Sequence, residues 1–267
     1  MKIGILREEK TPPDKRVPFT PDQCRWIIDN SSIDLVVQSS DIRCFSDKEY
    51  IDNGLKIVED LSDCQILIGI KEVVESSLLT NKTYLFFSHT IKKQPYNRSL
   101  LRKMIERNIT MIDYEVLKDI NNKRLLGFGR YAGIVGAYNG FLTYGLKLGT
   151  YNIKPAYKCD GRREVESELE KIKLKNVRIL LTGKGRVANG ALEILRSVGI
   201  MEVSKKDYLS KSFDKSVFCR IETLDYNERI DGSFSEIHDF YKNPEKYKSV
   251  FMNFSSCTDI FIAGHFY

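Results

Sequence analysis

The 267-residue sequence has few of the residues that build metal centres and covalent frameworks. It contains three histidines and six cysteines, and no CxxC, HxH or HxxxH spacing occurs among them. Metal chemistry and a disulfide framework are therefore not expected, and the thiols are predicted to be free in a reducing compartment.

Long apolar runs are also absent. No window approaches the roughly 18 apolar residues that a membrane span needs. The first residues, MKIGILREEK, turn charged too early for the apolar core of a signal peptide. These observations predict a cytoplasmic protein that does not enter a membrane.

The chain lacks a block of charge of one sign. Its 42 Lys and Arg are interleaved with 36 Asp and Glu, which gives a formal net charge of +6. Basic patches such as Lys92-Lys93 are only two residues long. Nucleic-acid binding is therefore not expected, whereas a mildly basic balance suits small anions such as carboxylates and dinucleotides.

What is present is a regular alternation of short apolar runs and amphipathic stretches, with 42% hydrophobic residues overall. Such alternation predicts a doubly wound α/β layer structure. In the first half, the predicted strands are residues 2–6, 34–38, 65–70, 83–87 and 109–113. The predicted helices there are residues 21–30, 47–54 and 95–108.

The segment YAGIVGAYNGFLTYGLKL, residues 131–148, is long, rich in glycine and apolar on every side. It predicts a buried helix that joins two domains. The expected organisation is an N-terminal substrate and catalytic domain at 1–130, the interdomain helix at 131–150, and a dinucleotide-binding domain at 151–267.

A glycine-rich turn, GKGRVA, follows the apolar run at 177–182 and opens an apolar helix. In the dinucleotide-binding fold, Gly183 would make the tight turn and Gly185 would let the backbone approach a pyrophosphate. The small Ala188 would allow close packing of helix and strand. The alternative is a glycine-rich turn without a ligand.

The acidic residue that usually reads the ribose is missing from this pattern. We expect the second strand at 200–203, where Ser204 stands at the end and Glu202 alternates to another face. Discrimination against NADP is therefore expected to be weak, with Lys205 or Lys206 available to a 2′-phosphate.

Three polar residues follow predicted strands of the first half. Arg16 lies in the loop after the first strand, Lys71 follows QILIGI, and His89 follows TYLFFS. Ligands bind at the carboxyl edge of such sheets, where a guanidinium suits a carboxylate and an ammonium or imidazole can transfer protons. The alternatives are a surface arginine, a lysine at a strand exit and a structural histidine.

The order of six motifs along the chain is more specific than any one of the motifs. They are LREEKTPPDKRVPFTP, GIKE, LFFSHTIKKQ, GFGRYAGIVGA, LLTGKGRVANGA and TDIFIAGHFY. In this order the chain resembles the alanine dehydrogenase and transhydrogenase superfamily, and looks most like the lysine-forming saccharopine dehydrogenases and their bacterial relatives.

The resemblance implies an N-terminal flavodoxin-like domain and a Rossmann domain with the active site in the cleft. Such enzymes interconvert an amino acid and a 2-oxo acid through an imine, with NAD carrying the hydride and NADP as an alternative. Lys71 and His89 match the family's acid–base pair, and Arg16 and Gln94 match substrate-binding residues. The matching cofactor positions are Arg124, Gly129, Gly183, Gly185, Arg186, Val187 and Ala188.

Family members continue beyond the position of Tyr267. The Rossmann domain is therefore expected to be incomplete, and the chain to be C-terminally truncated and without measurable turnover. The alternative function is a non-catalytic binding or regulatory relative that keeps the cleft. The expected partners are an amino acid and a 2-oxo acid, with homo-oligomerisation open; the sequence does not name the amino acid.

Overall fold

A computed structural model describes residues 1–265 of the chain. It divides into two units, Met1–Gly127 and Phe128–Tyr267, the second of which is described up to His265. Phe266 and Tyr267, the last residues of the sixth motif, lie outside the described residues. None of the helices in residues 1–265 is long and apolar enough to cross a membrane.

The N-terminal unit is an alternation of strands and helices. Its strands are β1 (Lys2–Ile5), β2 (Asp34–Gln38), β3 (Lys56–Val58), β4 (Ile66–Ile68), β5 (Thr83–Phe86) and β6 (Thr110–Asp113). Its helices are α1 (Pro21–Asn30), α2 (Asp47–Asp52) and α3 (Arg98–Glu106), and short 3-10 turns span Glu75–Ser77, Thr90–Lys92 and Pro95–Asn97.

The six strands form one parallel sheet in the order β3-β2-β1-β4-β5-β6. The order reverses at β1, which has β2 on one side and β4 on the other. In open α/β sheets, ligands bind at the carboxyl ends of the strands beside such a reversal. The loops after β1 and β4 are therefore the expected place for a site.

Local sequence explains why α1 begins where it does. Thr20 accepts a hydrogen bond from the backbone N–H of Gln23, the Gln23 side chain accepts one from the Thr20 backbone, and Pro21 occupies the first helical position. This capping box satisfies backbone donors that the helix itself leaves unpaired.

Both faces of the N-terminal sheet are covered, which explains its continuous apolar strands. One buried cluster contains Ile3, Ile5, Leu35, Val37 and Ile68. The alternate residues of the strands feed the other buried cluster, which contains Val36, Leu67, Tyr84 and Phe86. The predicted doubly wound layer structure is confirmed.

The C-terminal unit holds the remaining elements. Its helices are α4 (Gly129–Leu148), α5 (Arg162–Leu169), α6 (Arg186–Ser197), α7 (Lys205–Ser210), α8 (Ile237–Lys242) and α9 (Met252–Ser255). Its strands are β7 (Arg178–Thr182), β8 (Met201–Glu202), β9 (Val217–Ile221), β10 (Asn227–Arg229), β11 (Tyr247–Ser249) and β12 (Ile260–Ala263). Short 3-10 turns span Ala156–Lys158, Thr223–Asp225 and Pro244–Lys246.

Four of these strands form a parallel sheet in the order β12-β7-β9-β8, and β10 and β11 pair antiparallel. The strand expected at 200–203 is present as β8, but it lies at the edge of the sheet, and β9 rather than β8 pairs with β7. The reason lies in hydrophobicity. Both residues of β8 are exposed, whereas β9 (VFCRI) is buried at four of its five positions, so β9 takes the interior of the sheet.

Helix α4 packs on α6 through two glycines. A Cβ on Gly133 would overlap the carbonyl oxygen of Val187, and a Cβ on Gly190 would overlap that of Arg130. The residues that α4 buries are Gly133, Ile134, Ala137, Tyr138, Phe141 and Gly145. Tyr131, Leu146 and Leu148 are exposed, so the expected burial is found along one face of the helix.

Candidate functional site

Arg16 stands in the loop after β1 and is held by Asp14. Its Nε lies 2.8 Å from Asp14 Oδ1 and 3.1 Å from Oδ2. Burial raises the pKa of Asp14, but the hydrogen bonds from Arg16 and the charges of Arg16 and Lys71 outweigh it and hold the pKa below its usual value. An ionised Asp14 therefore lies within electrostatic reach of both Arg16 and Lys71.

The backbone at Lys71 is held by a buried carboxylate from the opposite side of the strand reversal. Glu8 is 9% exposed, and its two carboxylate oxygens accept hydrogen bonds from Ile70 N (2.6 Å) and Lys71 N (2.9 Å). Burial raises the pKa of Glu8, and the two backbone hydrogen bonds act against that rise. The loop after β1 thus fixes the loop after β4, where Lys71 begins.

His89 is joined to the residue that follows Lys71. His89 Nδ1 makes a short hydrogen bond with Glu72 Oε1, and Lys10 Nζ lies 2.6 Å from Glu72 Oε2. Burial raises the pKa of Glu72, but the hydrogen bonds from Lys10 and His89 outweigh it and lower the pKa. An ionised carboxylate therefore sets the orientation of the imidazole.

The backbone of His89 is left-handed, with φ 56°, which few residues other than glycine and asparagine adopt readily. Ser88, which is fully buried, donates a short hydrogen bond to Asp113 at the end of β6, and Thr90 N donates to Ser88 Oγ over 3.2 Å. The ring of His89 stacks on Phe87 at 6.3 Å between centroids. The surroundings thus hold a conformation that is costly by itself.

Gln94 borders a separate recess of the N-terminal unit. Its Oε1 accepts a hydrogen bond from the Tyr96 hydroxyl over 2.7 Å. The recess has a volume of about 360 Å³, and its lining comprises Thr90, Lys93, Gln94, Pro95, Asn97, Arg98 and Leu101. Since Thr90 directly follows His89, this recess adjoins the histidine along the chain.

Arg124, a predicted cofactor residue, belongs to the N-terminal unit. Its Nη2 donates to Glu115 Oε1 over 3.2 Å, and its guanidinium lies 5.7 Å from the centre of the Phe87 ring. Phe87 also stacks on His89, so Arg124 and His89 share one aromatic neighbour.

The glycine-rich turn of the C-terminal unit has the geometry that each small residue was expected to provide. Gly183 has φ 94°, and a Cβ there would lie 2.7 Å from the carbonyl oxygen of Gly264. A Cβ on Gly185 would meet no atom of residues 1–265 within 4 Å, so among these residues space is open beside it. Ala188 is fully buried against Gly264.

The start of helix α6 beside this turn is open to a ligand. Gly185 is its N-cap and offers no side-chain hydrogen bond to the first backbone N–H groups. A Cβ on Gly129 would lie 2.8 Å from the Cβ of Arg186 and 3.7 Å from Val187, so Gly129 is against the turn as well. An uncapped helix start next to open space fits the pyrophosphate of a dinucleotide.

The structure thus brings the predicted residues together in two groups, one in each unit. Arg16, the backbone of Lys71 and His89 each have a carboxylate partner that sequence reasoning missed, namely Asp14, Glu8 and Glu72 respectively. The signal was present, because these acids stand in LREEK, PPDKR and GIKE beside the basic residues. Among residues 1–265 no group of three or more His, Cys, Asp or Glu is placed to hold a metal ion.

Comparison with known proteins starts from the N-terminal unit. Residues 4–135 match the model of the family "Alanine dehydrogenase/PNT, N-terminal domain". Among solved structures, an L-alanine dehydrogenase has a TM-score of 0.55 at 15% identity, over 82% of this chain and 60% of that one. This likeness agrees with the fold.

Curated relatives extend the match along most of the chain. Alpha-aminoadipic semialdehyde synthase of Arabidopsis thaliana is 32% identical over 93% of this chain and 27% of its own length. The NAD⁺, L-lysine-forming saccharopine dehydrogenase of Yarrowia lipolytica is 29% identical over 74% of this chain and 58% of its own length. The chain therefore spans only part of each relative. Together these findings confirm that it resembles the alanine dehydrogenase and transhydrogenase superfamily and, within it, the saccharopine dehydrogenases.

Proposed function

We propose that the chain is an NAD(P)-dependent oxidoreductase of amino-acid metabolism that interconverts an amino acid and a 2-oxo acid through an imine. The observation that carries the proposal is the group of charged side chains at the strand reversal, in which Asp14 is paired with Arg16 and lies within electrostatic reach of Lys71, and Glu72 joins His89 to the loop after β4. The geometry of the glycine-rich turn in the C-terminal unit supports the proposal that a dinucleotide binds there.

In this proposal Arg16 binds a substrate carboxylate. A guanidinium presents several N–H donors in a plane, which matches the two oxygens of a carboxylate. Asp14 engages Nε and orients the group, as the 2.8 Å contact indicates. Gln94, on the neighbouring recess, contributes amide hydrogen bonds to the same substrate.

His89 and Lys71 move protons. Because Glu72 is ionised, it accepts from the Nδ1–H of His89, and Nε2 is then the nitrogen that exchanges a proton with the substrate. Imine formation and hydrolysis need proton transfers at both nitrogen and oxygen, so a second group is required. Lys71 supplies it, with its backbone N–H held by Glu8 at the end of β4.

The dinucleotide accepts or donates the hydride when bound. Its pyrophosphate would be held by the backbone N–H groups at the start of α6, beside Gly185 and Arg186. The packing of Gly129 against Arg186 keeps this helix start in place. Arg124, in the N-terminal unit, is the further cofactor contact that the resemblance suggests.

The test is a screen of NADH and NADPH oxidation by the 267-residue chain with 2-oxo acids and with ammonia, lysine or other amines. In contrast to the sequence-based expectation of no measurable turnover, the proposed function requires that one combination turn over, and that Lys71→Met and His89→Gln each lower kcat by about 10²–10⁴-fold, the usual contribution of acid–base catalysis. Lys56→Met and His238→Gln, at exposed positions, serve as matched controls.

Two results would contradict the proposal. Unchanged turnover in both Lys71→Met and His89→Gln would remove their acid–base roles. Dinucleotide binding without turnover in any combination would favour the non-catalytic relative instead.

A further inference from the structure

The recess of the N-terminal unit that Thr90 and Gln94 border also has two basic residues in its lining, Lys93 and Arg98. Within residues 1–265 neither of these two side chains makes an ion pair or a hydrogen bond. The adjacent Lys92 differs, because its Nζ lies 3.2 Å from Glu115 Oε1. Two cations that no carboxylate of the described chain neutralises make this recess attractive to an anion.

The wall of the recess also contains a buried amide. Asn97 lines the recess, precedes helix α3 and is 5% exposed, and its side chain makes no capping hydrogen bond to that helix. Its Nδ2 is buried and has no hydrogen-bond partner among the described residues. A buried donor without a partner is unfavourable, so an acceptor bound in the recess would stabilise Asn97 once the amide turns toward it.

The rest of the lining suits a compact apolar group. Pro95 and Leu101 belong to it, and Leu101 is 42% exposed. The volume of about 360 Å³ is that of a site for a small molecule. Cations and an amide donor beside apolar walls match a molecule that carries one carboxylate on a small apolar body.

The recess is joined to His89 by one short segment. Thr90 lines the recess and its Oγ1 lies 2.8 Å from Ser88 Oγ, so the two neighbours of His89 in the chain are hydrogen-bonded to each other. Lys93 N donates to Thr90 O over 3.0 Å, and Lys93 has a left-handed backbone, φ 53°, as His89 does. A ligand that contacts Thr90 and Lys93 therefore acts on the turn that holds His89.

We propose that this recess binds a small organic carboxylate with a compact apolar body, and that its occupancy changes the surroundings of His89. The two cations and the Asn97 amide hold the carboxylate, and the apolar walls contact the body. The site is separate from Arg16, to which the proposed function assigns a substrate carboxylate. It requires neither a dinucleotide nor turnover.

The first test uses benzoate, one carboxylate on one apolar ring, and measures its binding to the full chain by isothermal titration calorimetry without a dinucleotide. We expect a dissociation constant of about 1 mM, as is usual for so small a ligand. Arg98→Met keeps an apolar side chain and removes the charge, and should weaken binding by about 10-fold or more. Arg102→Met, the same change one turn further along α3 and outside the lining, is the matched control and should bind benzoate as the wild type does.

The second test measures the effect on His89 by proton NMR of the imidazole signals, with the spectrum of His89→Gln as the assignment. Benzoate should move the His89 signal in the wild type and in Arg102→Met. It should move that signal much less in Arg98→Met. The signal of His238, which is exposed in the C-terminal unit, should stay in place.

Several outcomes would overturn the proposal. They are no binding of benzoate, equal weakening by Arg98→Met and Arg102→Met, and an unmoved His89 signal at saturating benzoate. Binding that is lost in Arg16→Met and kept in Arg98→Met would place benzoate at the substrate arginine. Inorganic phosphate that binds through Arg98 where benzoate does not would assign the two cations to a phosphate instead. Turnover of an amino acid without benzoate binding would leave the proposed function standing and refute this site.

Discussion

The two units build their candidate sites from different materials. In the N-terminal unit the groups are charged side chains, and each is held by a carboxylate: Arg16 by Asp14, the backbone of Lys71 by Glu8, and His89 by Glu72. At the turn of the C-terminal unit the groups are backbone N–H donors, and Gly185 leaves open space beside them. Substitutions that remove a charged side chain are therefore expected to impair the site of the N-terminal unit. Substitutions that add a side chain are expected to impair the turn of the C-terminal unit.

The largest effect on stability should come from adding one methyl group at the contact between α4 and α6. In Gly133→Ala the new Cβ would overlap the Val187 carbonyl oxygen, so α4 and α6 must separate. We expect a loss of about 4 kcal/mol in the free energy of unfolding, as overpacking against backbone is among the most damaging changes. Circular dichroism on thermal denaturation measures it.

The matched control lies one turn away on the same helix. A Cβ on Gly136 would meet no atom of the described part of the chain within 4 Å, so Gly136→Ala should be neutral or stabilise α4 by up to about 1 kcal/mol through helix propensity. Equal stability of the two variants would contradict the close helix contact.

A smaller effect is expected at the turn itself, where an added methyl group should weaken dinucleotide binding and leave the stability of the fold unchanged. Gly185 has φ −79° and open space, so Gly185→Ala should leave the melting temperature unchanged. The added methyl group stands where a pyrophosphate would approach, and NADH binding should weaken about 10-fold, or ~1.4 kcal/mol. Gly161→Ala, another N-cap glycine with open space, is the control. Unaltered binding would show that the phosphate does not pass Gly185.

The smallest effect concerns removal of charge in the N-terminal unit. The folded-state pKa of Glu72 lies below its ordinary value of 4.5, so its ionised form stabilises the fold above that pH. This contribution is lost as the pH falls through the lowered pKa. In Glu72→Gln the stability should therefore fall less steeply on acidification below about pH 4.5.

Urea denaturation followed by Trp26 fluorescence at a series of pH values measures this dependence. Glu59→Gln, at an exposed surface ion pair with Arg7, is the comparison variant and should keep the wild-type slope. An identical pH dependence in Glu72→Gln would mean that the carboxylate is not held in its ionised form by Lys10 and His89.

Sequence reasoning succeeded where the cause is local. The bounds of α1 follow from Thr20, Gln23 and Pro21, and the shape of the turn follows from Gly183 and Gly185, because capping and left-handed backbone depend on a few adjacent residues.

It failed where the cause is distant. The placement of β9 between β7 and β8 depends on competition between segments for the interior of the sheet, which periodicity along the chain does not contain. The antiparallel pair β10–β11 has polar, three-residue strands without an alternating pattern, and it was not predicted. The contact of Glu8 with Lys71 joins residues 63 positions apart and has no local signature.

The central position of β1 also affects the order in which the N-terminal sheet can assemble during synthesis. Strand β1 precedes the other strands of its sheet in the chain and lies between β2 and β4, and an early β1–β2 pair leaves one of its edges open. That edge closes only after β4 has left the ribosome, because no earlier segment pairs there. The hydrogen bonds of Glu8 to Ile70 and Lys71 form at the same step. During synthesis, the groups proposed for proton transfer are thus assembled only after a long-range closure, which is the slow kind of event in the folding of parallel sheets.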